Sequence, residues 1–221
     1  AERIDTHLSR DAQNPRWLWM RGSLAFQRGN MDKAVQSLDE AIRREPGLIE
    51  ARLLRAGVYE ARNQRDRARQ ELDELRRRTD LTAITQEYAR ICQKLGDFAA
   101  AETTYLEAIE RNGPSRQLVQ SLAELYTRWG RGDALEKLLA RYEGNFRNEF
   151  WYHLSRNQLA RQQSNYAEAL EAMETAMKLA DREQKRRSQL LYAETLSDFG
   201  AYGKALQVLR ALPADETGTP A

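Results

Sequence analysis

One cysteine, two histidines and five prolines are all that 221 residues hold of the side chains that most readily staple, coordinate or interrupt a fold. With Cys92 alone, no intrachain disulfide can form, and a disulfide-free chain suits cytosol and periplasm equally. His7 and His153 stand far apart, and no i, i+4 histidine pair or Cys-x-x-Cys offers metal-ligand spacing. No apolar run approaches the ~20 residues that cross a bilayer, so no membrane contact by this segment is expected. Charge of one sign is missing too: 35 basic residues against 33 acidic leave a formal net charge of +2. A dedicated DNA-binding domain would carry a one-sided basic excess. No glycine-rich phosphate loop occurs, since Gly130-Arg131-Gly132 lies between two helical patterns. Acid pairs such as Asp39-Glu40 and Asp73-Glu74 are adjacent in sequence, hence about 100° apart on a helix. A catalytic pair needs convergent geometry instead. No enzyme, cofactor or small-molecule substrate is expected. The chain opens on Ala1 without methionine or signal peptide, as a processed or excised segment would.

What recurs is alanine. Ala34, Ala68, Ala101, Ala134, Ala169 and Ala205 follow one another at gaps of 34, 33, 33, 35 and 36 residues. Their surroundings recur with them. Gly22, Ala56, Ala89, Ala123, Asn157 and Ala193 precede them by eleven or twelve residues, and Leu38, Leu72, Tyr105, Leu138, Met173 and Leu209 follow by four. In the fourth copy either Ala134 or Leu135 fills the alanine slot. A fixed period of this length marks an array of small units that bury their apolar faces against their neighbours. Within each unit, apolar residues at three- and four-residue spacing predict two amphipathic helices, A and B. The breaks between them fall at Gly29-Asn30, Asn63-Gln64, Gly96-Asp97, Gly130-Arg131, Ser164-Asn165 and Gly200-Ala201. Gly or Asn just past a helix tolerates the left-handed conformation that satisfies orphan carbonyls. The small residues mark where A and B cross, because a larger side chain there would push the axes apart at a cost of roughly 1–3 kcal/mol. Cys92 reads as a small buried hydrophobe. A coiled coil would need sustained heptads, which glycines and prolines interrupt about every 17 residues.

These residues resemble the tetratricopeptide repeat family. Its pattern of small, aromatic, small, aromatic or large, small, then proline is met by Gly22, Ala34, Leu38, Ala41 and Pro46, and again by Ala89, Gly96, Phe98, Ala101, Tyr105 and Ala108. Two departures stand out. Arg65 replaces the turn aromatic that Phe98, Tyr166 and Tyr202 supply elsewhere, and Asn157 occupies a small-residue seam, making the fifth unit's packing the weakest point of the pattern. The resemblance implies an all-α, right-handed superhelical solenoid of helix-turn-helix repeats. Residues 1–14, with Ile4 and Leu8, are expected to be helix B of a truncated upstream repeat. Six repeats then run over 15–48, 49–81, 82–115, 116–149, 150–185 and 186–213, with a flexible tail over 214–221. Leu206 and Leu209 belong to a last helix with no polar closing helix after it.

In that family, helix A lines the inner groove, and its second, fifth, ninth, twelfth and thirteenth positions meet the ligand. Carried over, these are Arg16, Trp19, Ser23, Phe26 and Gln27 in the first repeat and Glu50, Leu53, Gly57, Glu60 and Ala61 in the second. The third places Ala83, Gln86, Arg90, Gln93 and Lys94 there; the fourth, Gln117, Gln120, Glu124, Thr127 and Arg128. The fifth has Trp151, Leu154, Gln158, Arg161 and Gln162, and the sixth Arg187, Leu190, Glu194, Ser197 and Asp198. Across repeats three to five, Arg90, Lys94, Arg128 and Arg161 face Glu124 as the lone acid. Such a stripe could receive an acidic segment of a protein partner, or it could be a solvated face whose bases pair with neighbouring acids. Trp19, Phe26 and Trp151 are candidate apolar anchors. Alternatively Trp19 and Phe26 pack on the upstream helix, and Trp151 lies buried between the fourth and fifth repeats.

The family's chaperone-tail variants hold a terminal carboxylate with a Lys/Asn/Asn/Lys/Arg clamp; here those positions are Trp19, Ser23, Leu54, Ala83 and Glu87, so that chemistry is absent. The 29 arginines against 6 lysines read mainly as the coding bias of a GC-rich genome. The run from Arg62 to Arg78 holds seven arginines, but also Asp66, Glu71, Asp73 and Glu74 on an outer helix. That mixture disfavours nucleic acid. By resemblance, GC-rich bacteria place such arrays in the periplasm as parts of outer-membrane exopolysaccharide export proteins of the cellulose, alginate and Pel type, where they recruit polysaccharide-modifying enzymes. The expected role is a non-catalytic scaffold of that kind; a cytoplasmic assembly or signalling scaffold and an RNA-binding helical repeat are the alternatives. Nothing in the pattern sets an oligomeric state.

Overall fold

The computed structural model describes residues 14–212. The expected upstream helix around Ile4 and Leu8, His7, and the expected tail over 214–221 lie outside these residues. Among those described, the chain forms 12 α-helices and no strand. It divides into two compact halves, Ala1–Gly113 and Pro114–Ala221. The first holds α1 (Pro15–Gln27), α2 (Met31–Arg44), α3 (Ile49–Ala61), α4 (Arg65–Arg76), α5 (Thr82–Lys94) and α6 (Phe98–Asn112). The second holds α7 (Arg116–Trp129), α8 (Gly132–Phe146), α9 (Phe150–Gln162), α10 (Tyr166–Leu179), α11 (Arg182–Asp198) and α12 (Tyr202–Arg210). Within each half, helices pack on one another in chain order, and α1 also meets α3 as α7 meets α9. This is the all-α arrangement of a helical-repeat solenoid.

The hairpin turns are built alike because the same local chemistry is repeated. Gly29, Asn63, Gly96, Gly130, Ser164 and Gly200, the first residue of every expected break, all take positive φ. The next residue's N–H then reaches back to a carbonyl of the preceding helix: Asn30 to Ala25, Gln64 to Tyr59, Asp97 to Cys92, Arg131 to Tyr126, Asn165 to Ala160 and Ala201 to Leu196, all at 2.8–2.9 Å. This six-to-one bond is the Schellman closure, and it consumes carbonyls the helix end would otherwise orphan. Three of the same residues also open the next helix. The side chains of Asn30, Asp97 and Asn165 accept from the backbone N–H of Lys33, Ala100 and Glu168.

The expected seam is buried throughout. Ala34, Ala68, Ala101 and Ala169 are fully enclosed, as are Ala89 and Ala123 across from them. In the fourth hairpin Leu135 takes the enclosed slot and Ala134 is only half-buried. Cys92 is fully buried. The fifth hairpin is better joined than its asparagine suggested. Asn157 is buried, and its Nδ2 donates to the Ala169 carbonyl at 2.8 Å and to Thr195 Oγ1 at 3.2 Å. The amide therefore ties α9 to the seam alanine of α10 and to α11, and its donors are satisfied where burial would otherwise be costly. On α12, Leu206 and Leu209 are nearly half exposed.

A second tie lies in the first half. Arg52 and Arg55 on α3 converge on Glu71 of α4, which is buried together with Arg52. Arg52 Nη1 donates to Glu71 Oε1 at 2.8 Å and to Glu74 at 3.2 Å, while its Nε donates to the Pro46 carbonyl at 3.0 Å. Arg55 bonds the other Glu71 oxygen and also Asp39 of α2.

Candidate partner-binding groove

The A helices of the second half open a cleft of about 500 Å³. From α7 come Arg116, Gln120, Glu124, Thr127 and Arg128; from α9, Phe150, Trp151, Leu154, Ser155 and Gln158; from α11, Gln184 and Arg187. Eight of these twelve are positions the family pattern assigns to the inner groove. Arg116, Phe150, Ser155 and Gln184 were missed, yet each lies one helical turn before a predicted position, Gln120, Leu154, Gln158 and Arg187. The i, i+3 and i, i+4 spacing of a helix face was the signal that could have found them.

The expected stripe of bases facing only Glu124 is not what forms. Arg90 donates to Glu60 at 2.7 Å and to Glu87 at 2.7 and 2.9 Å, and Lys94 is paired with the same Glu60. Arg161 donates to Asp198 at 2.7 Å and to Glu194 at 2.8 Å. Three of the four bases are thus held by acids on the A helices of adjoining repeats, the pairing alternative. Glu60 sits in the second repeat and Glu194 and Asp198 in the sixth, outside the stretch of repeats three to five. One repeat of separation places such side chains side by side. Asp32 with Arg62, Arg76 with Glu107, Asp80 with Arg111 and Arg116 with Glu149 follow the same spacing.

Arg128 is the exception. It is exposed, and among the described residues it has no ion-pair or hydrogen-bond partner; Arg187 across the cleft is in the same condition. Glu124 is the one carboxylate lining the cleft, and it accepts from Gln120 Nε2 at 3.1 Å. Trp151 forms part of the wall but is only 5% exposed, with the Phe146 ring centroid 5.3 Å away. It is therefore a buried support of the cleft, as the packing alternative held, and not an open anchor. Its neighbour His153 is also buried, with Nε2 2.7 Å from the Arg147 carbonyl, and burial pushes its imidazole pKa down. In the first half, Arg16 is exposed at the start of α1, while Trp19 and Phe26 are half-buried against the core of Leu18, Leu38 and Val58.

The hydrogen bond from Arg90, aided by Lys94, lowers the Glu60 carboxyl from its ordinary value to about 2. The unfolded chain then binds a proton that the folded chain refuses, so the stabilisation is complete above pH 4.5 and is lost as pH falls toward about 2. Arg90 and Lys94 are each more than a third exposed, so solvent screens the pair and its worth is about 1 kcal/mol. Glu60→Gln is expected to remove that much of the acid sensitivity between pH 5 and pH 2.5, measured by thermal unfolding at both values. A variant as acid-sensitive as the parent would show that the pair carries no stability.

Among the described residues, no helix is long and apolar enough to cross a membrane. Nor does any group of three or more His, Cys, Asp or Glu among them have the placement to hold a metal ion. Family models described as tetratricopeptide repeat match residues 25–84, 86–114 and 158–218. No match was found among curated proteins. Among solved structures, a tetratricopeptide repeat protein from Parabacteroides merdae is 16% identical with a TM-score of 0.68, the match covering 89% of this chain and 77% of that one. Pseudomonas aeruginosa pilF is 19% identical, TM-score 0.59, over 94% and 95% of the two chains. YrrB, described as having an unusual peptide-binding site, is 13% identical, TM-score 0.56, over 84% and 97%.

Proposed function

We propose, from the premise that the chain belongs to the tetratricopeptide repeat family, that it is a non-catalytic scaffold docking a protein partner in the cleft of its second half. Repeats of this family are generally scaffolds of this kind. The observation that carries the reading is the convergence of family groove positions from α7, α9 and α11 on one cleft, where Arg128 and Arg187 have no partner among the described residues. A concavity of this size with a few convergent polar groups is the default place to seek a ligand. The finer setting is a segment of a bacterial outer-membrane-associated exopolysaccharide export protein, acting in the periplasm and recruiting a polysaccharide-modifying enzyme. The arginine-rich, lysine-poor composition and the lone cysteine are consistent with it.

The test is site-specific photocrosslinking of the whole parent protein in its own cell. A photoreactive residue at the exposed Gln158 is expected to yield a protein adduct, whereas one at the exposed Glu171 on α10 is expected to yield none. Adducts from Glu171 alone would refute docking through the cleft. Recovery of the parent protein in the cytoplasmic fraction would refute the export setting and leave docking intact.

A further inference from the structure

Resting on that reading, the geometry points to an extended acidic protein segment, with apolar residues between its carboxylates, as the occupant of the cleft, and to the second half as the place that selects it. The two halves differ in what their A helices leave unpaired. In the first, Arg16 is exposed at the start of α1, but Arg62, Arg90 and Lys94 are each held by a carboxylate of an adjoining repeat. A ligand acid arriving there would have to displace an internal one. In the second, Arg161 is likewise held and Arg116 is paired with Glu149, so of the guanidiniums lining the cleft Arg128 on α7 and Arg187 on α11 are the two without a partner among the described residues.

Between them lies the α9 wall, where Leu154 and Phe150 offer apolar surface and Gln158 and Ser155 offer amide and hydroxyl groups for an extended backbone. Arginine favours carboxylates because its planar fork matches them and the bond is charge-assisted. Glu124 sets the limit on charge: one acid already in the cleft makes two free guanidiniums a match for a few carboxylates spaced along a chain, and a poor match for a polyanion.

The probes are fluorescein-labelled ten-residue peptides of alternating glutamate and leucine, glutamine and leucine, or lysine and leucine, titrated against the whole chain by fluorescence anisotropy. The glutamate peptide is expected to bind about tenfold tighter than the glutamine one, and to lose most of that margin as salt rises from about 50 to about 300 mM. The double variant Arg128→Gln/Arg187→Gln is expected to erase the preference while unfolding at the parent's temperature, since neither side chain has a partner to lose. Arg90→Gln is expected to leave the preference unchanged. Equal or tighter binding of the glutamine or lysine peptide would overturn the acidic assignment and leave docking standing. So would displacement of the glutamate peptide by polyuridylate at equal charge concentration, which would mark a nucleic-acid surface. If none of the peptides binds and Gln158 yields no crosslink, the docking reading falls along with the inference.

Discussion

Replacing Glu71 with alanine is expected to lower stability by about 3 kcal/mol, on the order of 10 °C in the midpoint of thermal unfolding. The reason is asymmetry. Burying Glu71 with Arg52, and Arg55 at their edge, contributes little net stability while they satisfy one another, but removing the shared carboxylate takes from the buried Arg52 and the half-buried Arg55 the acid that neutralises both. Arg55 would keep only Asp39, and Arg52 would keep Glu74 and the Pro46 carbonyl, which is why the low end of the range for a broken buried pair applies. The converse substitution makes the mechanism specific. With Arg52→Met, Arg55→Leu and Glu71→Leu made together, no charge is stranded, and the loss is expected to be far smaller than for Glu71→Ala alone. Urea or thermal unfolding of the two proteins decides it. A Glu71→Ala variant within 1 kcal/mol of the parent would mean that water reaches the site and the network is an ordinary surface cluster.

The other large effect is expected at a glycine, and its sign depends on which glycine is changed. Both Gly22 and Gly57 sit inside helices, where exchange for alanine adds about 1 kcal/mol from helix propensity alone. At Gly57 a Cβ would meet nothing within 4 Å, so Gly57→Ala is expected to stabilise by about that amount. At Gly22 the same atom would lie 2.8 Å from Leu38 Cγ, 2.9 Å from its Cδ2 and 3.3 Å from the Ala34 carbonyl oxygen. Leu38 is fully enclosed and has nowhere to move. Overpacking of this kind costs roughly 1–3 kcal/mol and outweighs the propensity gain. Gly22→Val gives up most of that gain through its stiff χ1 and adds two methyl groups, so a loss of about 3 kcal/mol or more is expected. Opposite shifts in midpoint for Gly57→Ala and Gly22→Val are the measurement. A neutral Gly22→Val would show that the α1–α2 crossing is loose enough to repack.

The turns and the seam were legible because their causes are local. A residue such as Ser164 or Asn63 followed by a capping or polar residue makes a Schellman turn through bonds that span six residues, and all six were visible as breaks in the apolar period. Groove positions were legible for a related reason: they follow from helix phase once the period is known, and α7, α9 and α11 bring eight of them together. Asn157 was a harder case. Its identity announces a polar group in an apolar seam, but the acceptors that satisfy it, at Ala169 and Thr195, are 12 and 38 residues away. Trp151 was ambiguous for the opposite reason, since an aromatic at helical spacing looks the same whether it faces a ligand or a ring such as Phe146.

Sequence alone therefore determined that this chain is an array of helical hairpins, where each turn falls, and which helix faces line the cleft of the second half, because dihedral preference, capping and periodic burial act over a few residues and repeat. The tertiary structure decided which arginines are spoken for. Arg90, Arg161 and Arg128 are all arginines at family groove positions, yet the first two find carboxylates one repeat away and the third finds none among the described residues. Whether a guanidinium is free depends on which side chains a neighbouring helix brings within about 3 Å of it, and that distance is set by packing between repeats.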